Sequence, residues 1–157
     1  MSATVIDAER RLPYAPRDLC EMVGDVRAYP KFIPWILDLK LSSERDHGGV
    51  HEAVAHVLVG WRAIRERFST RVRAAPEEGK VDVTLVSGPF RVLENHWRFQ
   101  PDGQGGSVVR FHVAYEFKSP VLNGLVRANR QKAADRIMAA FEKEAARRFK
   151  APATTTA

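Results

Sequence analysis

At 157 residues the chain has the length of one ordinary domain. Residues 1–150 are expected to fold as a single unit, followed by a frayed tail over 151–157. Hydrophobic residues at 45% and charged residues at 28% exclude a disordered or collagen-like chain. The single cysteine, Cys20, excludes an internal disulfide framework and a cysteine-rich zinc module. A net charge of +6 permits an acidic partner without requiring one.

Thr4, Ile6, Ala8 and Leu12 alternate with Asp7, Glu9 and Arg11, which predicts a first strand ending at Pro13. Pro16 suits the first turn of a short helix with Leu19, Met22 and Val23 as its apolar stripe, closed by Gly24 and Asp25. Cys20 falls in that stripe and reads as a small buried residue. From Tyr29 to Trp35, two prolines and three aromatic residues predict a compact helical turn lying over an apolar surface.

Strand patterns follow over Ile36–Ser43, Val50–Ile64 and Arg65–Ala75, then at Val81, Val83 and Leu85, and again at Leu93, Asn95, Trp97 and Phe99. The turns between them are Asp46 to Gly49, Pro76 to Gly79, Gly88–Pro89 and the glycine-rich stretch from Pro101 to Gly106. Val109, Phe111, Val113, Tyr115 and Phe117 alternate without interruption. Ser119 as N-cap and Pro120 at the first helical position open a last helix, predicted over Val121–Lys150. Its stripe is Leu122, Val126, Asn129, Ala133, Ile137, Phe141, Ala145 and Phe149.

Strands joined by short turns make an antiparallel meander, and a long amphipathic helix after it buries its stripe against the concave face. That arrangement leaves a hollow roofed by the short helices. No apolar run reaches the ~18 residues of a membrane span. The N-terminus lacks a signal-peptide pattern, so a cytoplasmic protein is expected, with any membrane contact peripheral.

An ordered set of residues carries a resemblance: Asp25-Val26-x-x-Tyr29-Pro30-x-Phe32-x-Pro34-Trp35, Val59-Gly60, Glu66-x-Phe68-Ser69, Gly88-Pro89-Phe90, Leu93-x-x-x-Trp97-x-Phe99, Glu116-Phe117-x-Ser119 and Met138-x-x-Phe141. Spread over Ala3 to Arg148, it resembles the coenzyme-Q-binding proteins with a START-like domain, within the polyketide cyclase/dehydrase and lipid-transport superfamily. The bacterial ribosome-association toxins share nearly the same pattern. The resemblance implies an α+β helix-grip fold, with a curved antiparallel sheet wrapped around a long C-terminal helix and two short helices after the first strand. It implies a hydrophobic cavity for ubiquinone, handled in support of respiration rather than transformed, with no cofactor. Two positions depart from the pattern: Ile36, where the family often has Cys, and Asn129-Arg130, in a region associated with an aromatic residue.

A polyprenyl quinone is mostly a hydrophobic ligand. Each isoprene unit is worth several CH2 equivalents at roughly 0.8 kcal/mol each, and pockets of ~300–1,000 Å3 hold a head and part of a tail. Candidate wall residues are Phe32, Trp35, Val57, Val59, Leu85, Leu93, Trp97, Phe111, Val113, Ile137 and Phe141; apolar alternation is foremost a core signal, so each also reads as plain core. The indoles of Trp35 and Trp97 and the hydroxyl of Tyr115 are candidate donors to a quinone oxygen, Tyr115 alternatively bonding backbone. Asn95, between Leu93 and Trp97, either meets the ligand head or ties down a neighbouring turn; Asn129 lies in the cavity or at its rim. The histidines His47, His51, His56, His96 and His112 form no His-Glu-x-x-His pattern and read as surface or satisfied groups. No Gly-x-Ser-x-Gly elbow or phosphate loop is present.

The last segment carries most of the basic surplus. Arg127, Arg130, Lys132, Arg136, Lys143, Arg147, Arg148 and Lys150 stand against Asp135, Glu142 and Glu144. This face is a solvated surface, a contact for an anionic membrane at the bacterial inner membrane, or a contact for ribosomal RNA. Three functions are therefore weighed: a ubiquinone or polyprenyl-lipid carrier, a translation inhibitor on the large ribosomal subunit, and a polyketide cyclase or dehydratase. The last needs an acid/base pair in the cavity, and Asp25, Glu66 and Glu116 look peripheral to the apolar faces. A non-enzymatic binding protein is the expectation.

Overall fold

The computed structural model describes residues 3–61 and 63–149. The elements in chain order are β1 (Thr4–Leu12), α1 (Pro16–Gly24), a 3-10 turn (Val26–Ala28), α2 (Tyr29–Phe32), β2 (Ile36–His47), β3 (Val50–Trp61), β4 (Ile64–Ala75), a second 3-10 turn (Pro76–Glu78), β5 (Lys80–Ser87), β6 (Phe90–Pro101), β7 (Ser107–Phe117), α3 (Pro120–Ala128) and α4 (Arg130–Arg148). The strands make one antiparallel sheet in the order β1-β7-β6-β5-β4-β3-β2. Five pairings join consecutive strands, and β1 closes onto β7. This is the helix-grip arrangement, a curved sheet around the C-terminal helix. The tail 151–157 and Lys150 lie outside the described residues.

Strand alternation sorts the side chains. Leu93, Asn95, Trp97 and Phe99 of β6 pair with Tyr115, Val113, Phe111 and Val109 of β7, placing both rows on the concave face. Val81 and Val83 of β5 continue that face opposite Trp97 and Asn95. Register shifts at Ile36/Asp38, Ser42/Arg45, Ser69/Thr70 and Phe90/Val92 bend the strands, as an extra residue on one side of a ladder does. At the turn into β5, Gly79 has φ +66°, and a Cβ there would stand 2.3 Å from the Phe99 carbonyl oxygen, so a bare α-carbon is required.

The continuous C-terminal helix expected from the sequence is interrupted at Asn129. The backbone there leaves the helical region (φ −114°, ψ 13°). The Asn129 N–H turns back to the Val126 carbonyl at 3.1 Å, and its side-chain amide donates to the Leu125 carbonyl at 2.8 Å. Carbonyls that would otherwise be orphaned at the end of α3 are thus satisfied. Ala134, Met138, Phe141, Glu144 and Ala145 are the buried positions of α4; Phe141 and Ala145 keep the inward place the stripe gave them, while Ala133 and Ile137, which the unbroken stripe also placed inward, are half-buried. The start of α3 follows the sequence reading: Pro120 is in the first turn and the Ser119 hydroxyl accepts from the Leu122 N–H at 3.3 Å.

Candidate hydrophobic site between helix and sheet

The concave face divides into two ends of different packing. At one end the aromatic rings fill the space. Phe141 of α4 sits 4.9 Å from Trp97, 5.5 Å from Phe32 and 5.3 Å from Tyr29 between ring centroids, and Trp97 sits 4.7 Å from Phe111. Each aromatic pair adds ~0.5–1.5 kcal/mol beyond its burial. Leu19, Met22, Val23, Val72, Val81, Val109 and Met138 complete a solid core there. Of the residues assigned from sequence to a ligand wall, Phe32, Trp97, Phe111 and Phe141 therefore form one aromatic block, packed on each other. The Tyr29 hydroxyl donates to the Val23 carbonyl, and burial raises its pKa far above the ordinary phenol.

Toward the other end Phe90 is buried, its ring 5.3 Å from Phe68 and 4.5 Å from Phe117 between centroids, while further apolar side chains stay half-buried. These are Trp35 before β2, Val59 on β3, Leu85 on β5, Leu93 on β6, Val113 on β7 and Ile137 on α4. Val57 is buried beside them. Phe68, Phe117 and Val126 belong to the same strip and were not singled out as wall residues, although the alternation of β4 and β7 carried the signal for the first two. Over this end lies α3, none of whose residues is buried. The Asn123 amide moors it to β7, accepting from the Phe117 N–H at 2.6 Å and donating to the Phe117 carbonyl at 2.8 Å.

Tyr115 stands on the concave face between Thr4 of β1 and Leu93 of β6. It is 8% exposed, and its hydroxyl has no hydrogen-bond partner among the described residues. Burial raises its pKa, against the opposing pull of Arg130 and Arg127. A buried hydroxyl without a partner costs free energy, so a ligand oxygen there gains a donor that nothing else uses. Asn95 is differently placed. Its amide donates to the His112 carbonyl at 2.9 Å, and its Oδ1 accepts the Trp97 indole N–H at 2.9 Å. The Trp97 donor considered from sequence for a quinone oxygen is therefore engaged within the sheet. Asn129 marks the hinge between α3 and α4, its amide committed to Leu125.

The remaining polar groups form local pairs. Across the convex face, His96 Nδ1 meets Asp82 at 2.6 Å and His112 Nδ1 meets Asp7 at 2.6 Å, with Glu94 Oε1 4.0 Å from both Nε2 atoms. Carboxylates thus gather beside histidines that the sequence left apart, because β1, β7, β6 and β5 are neighbours only in the folded sheet. Among the described residues no three such groups converge in metal-ligand geometry. Burial works to raise the Asp82 carboxyl, but hydrogen bonds from His96 and Arg98 outweigh it and hold the carboxyl below the usual range. Burial pushes the Cys20 thiol up to about 12, so it is no thiolate at neutral pH. Two surface depressions lie away from the apolar strip. One, of 270 Å3, lies beside Asp25, Arg27 and Glu44; the other, of 400 Å3, lies on the convex face by His96 and His112.

The basic row of the C-terminal helix is only partly free. Arg127, Arg130, Lys132, Arg136, Lys143 and Arg147 are exposed. Arg148 is not part of that face. It folds inward to Glu144 at 2.6 Å and Asp25 at 3.4 Å, with its guanidinium over the Phe32 ring. Glu144 is buried and bound by Arg147 as well, and these guanidinium bonds hold its pKa at about 2.

Similar proteins share this architecture. A solution structure of an 18 kDa protein from Caulobacter crescentus is 41% identical, covers 90% of this chain and 95% of its own, and superposes with a TM-score of 0.77. The ribosome association toxin RatA of Rickettsia prowazekii is 28% identical over 137 residues, 85% of this chain and 90% of the toxin. The mitochondrial coenzyme Q-binding protein coq10 of Schizosaccharomyces pombe is 28% identical over 124 residues, 76% of this chain and 72% of that protein. Residues 12–142 match the family described as polyketide cyclase / dehydrase and lipid transport, and the chain belongs to that family.

Proposed function

We propose that the protein binds ubiquinone or a related polyprenyl lipid along the strip from Trp35 to Tyr115 and acts as its carrier or chaperone in support of respiratory electron transport. The unpartnered hydroxyl of Tyr115 carries this reading. It is a buried donor set in a half-buried apolar surface, which is the chemistry of a quinone carbonyl on a prenyl tail. Leu85, Leu93, Val113 and Ile137 take the first isoprene units, and the filled aromatic end directs the rest of a long tail outward beneath α3. Binding rather than catalysis is proposed. Among the described residues the strip's one carboxylate, Glu66 on β4, has no histidine beside it on that face, so these residues assemble no proton-transfer pair. The coenzyme Q-binding relative supports the ligand class.

Extraction of protein purified from its native host with organic solvent, followed by mass spectrometry, tests the proposal. A stoichiometric quinone or prenyl lipid is the expected result, and its absence from repeated preparations removes the reading. The exposed, unpaired bases Arg127, Arg130, Lys132, Arg136 and Lys143, together with the RatA relative, favour a second reading: contact with the large ribosomal subunit and inhibition of translation. Sucrose-gradient profiles after overexpression separate the two. Loss of joined ribosomes supports the second reading; intact profiles with a respiratory defect on deletion support the first.

A further inference from the structure

The exposed large aliphatic side chains among the described residues are Val5, Leu37, Val86, Val92 and Val121. All five fall at one end of the sheet. Val5 and Leu37 are the second residues of β1 and β2, Val86 is next to last in β5, Val92 is third in β6 and Val121 is second in α3. The register sets these strand ends along one end of the sheet, from edge strand β1 to edge strand β2: Thr4 lies opposite Tyr115, Ile36 opposite Val59 beside the β3–β4 hairpin, and Phe90 opposite Phe117. Val121 is the most exposed of them, at 79%.

The same end carries Arg65, Arg67, Arg91, Lys118 and Arg127, all exposed and none in an ion pair among the described residues. Some bases elsewhere are paired, Arg17 with Glu21 and Glu77, Arg27 with Glu44, Arg73 with Glu52 and Glu78, Arg110 with Glu9, while Arg45 and, on α4, Arg130, Lys132, Arg136 and Lys143 are also exposed without an ion pair among the described residues. The acids at this end, Asp38, Glu66, Glu94 and Glu116, are half-buried or buried, with Glu94 set beside His96 and His112. The rim is thus apolar and, on balance, positive.

We infer that this rim is a docking surface for an anionic lipid bilayer. Aliphatic tips enter the acyl boundary while a ring of arginine and lysine meets lipid phosphates, the two signals that together hold a peripheral protein. A nucleic-acid partner suits the charge but leaves the valines and leucine in water, since bases stack on aromatic rather than aliphatic side chains. The face involved is the open end of the grip, not the outer row of α4 that the sequence singled out. The inference does not depend on which lipid the strip holds.

Sedimentation of the full chain with phosphatidylcholine vesicles, with and without phosphatidylglycerol, tests it. Binding is expected with the anionic lipid and at least tenfold weaker without it, by the electrostatic contribution of several bases. Val121→Glu and Arg67→Glu, both at exposed positions, are each expected to lower binding about tenfold with circular dichroism unchanged. Arg45→Glu, an equal charge change at the opposite end, leaves it intact. Equal losses in Arg45→Glu, or no loss in Val121→Glu, overturn the docking surface. So does retention on ribosomal RNA that Arg67→Glu abolishes and Val121→Glu does not, because that pattern identifies a nucleic-acid contact. Quinone content of the same variants, measured after extraction, is expected to stay unchanged, so failure of docking and failure of lipid binding give different results.

Discussion

The indole N–H of Trp97 donates to the side-chain oxygen of Asn95, two residues earlier on the same strand, at 2.9 Å. Asn95 in turn donates to the His112 carbonyl of the neighbouring strand. An amide at the centre of an apolar face is therefore tolerated because both of its ends, and the indole beside it, are satisfied within the sheet. Asn95→Leu leaves the Trp97 N–H without its acceptor. It is expected to destabilise the protein by about 1–3 kcal/mol, read from the urea midpoint. Quinone affinity should change much less than stability; a selective loss of affinity would return Asn95 to the ligand site.

Tyr115→Phe makes the opposite forecast. Removing a buried hydroxyl that bonds nothing should leave stability unchanged or raise it by up to about 1 kcal/mol. Under the proposed function it should also weaken quinone binding about three- to tenfold, the worth of one hydrogen bond. Titration with a short-tailed quinone and thermal unfolding of the same preparation test the pair of outcomes. A stability loss with unaltered binding would show that the hydroxyl is structural.

Gly124 lies inside α3, and nothing stands within 4 Å of the position a Cβ would take. Gly124→Ala should stiffen α3 by about 0.5–1 kcal/mol through helix propensity alone. If α3 moves between the Asn123 mooring and the Asn129 hinge to admit ligand, exchange of a bound quinone analogue slows by a similar factor, about two- to fivefold in stopped-flow displacement. Unaltered exchange with raised stability would place the entrance elsewhere.

Glu144 ties the end of α4 together through Arg147 and Arg148, and its folded pKa lies near 2 against an ordinary value of 4.5. A depressed carboxylate contributes stability that is present above the unfolded pKa and lost as pH falls toward the folded one. Glu144→Gln should therefore be less stable by about 1–3 kcal/mol near neutrality, the gap closing between about pH 5 and about pH 2. Denaturation midpoints across that range check the sign. A gap that stays constant would show that the loss comes from packing rather than charge.

Much of this was legible in the residues themselves. A period of two in Val109 to Phe117, turn residues at regular intervals, and Ser119-Pro120 before an amphipathic stretch specify strand, turn and helix through contacts no more than four residues apart. That is why the meander and the helix that follows it could be read in order. Family resemblance added the helix-grip closure, and it motivates the ligand class proposed above. Which apolar residues pack and which stay open was decided only in three dimensions. Phe32, Trp97, Phe111 and Phe141 come from four elements, and only their meeting turns a candidate wall into a filled block. The break at Asn129 was hidden because asparagine is acceptable both inside a helix and at its end, and the choice depends on where α3 must leave β7. Periodicity records which face of an element is apolar. The distance to whatever lies opposite is set by the crossing of helix and sheet, and that distance separates core from binding surface.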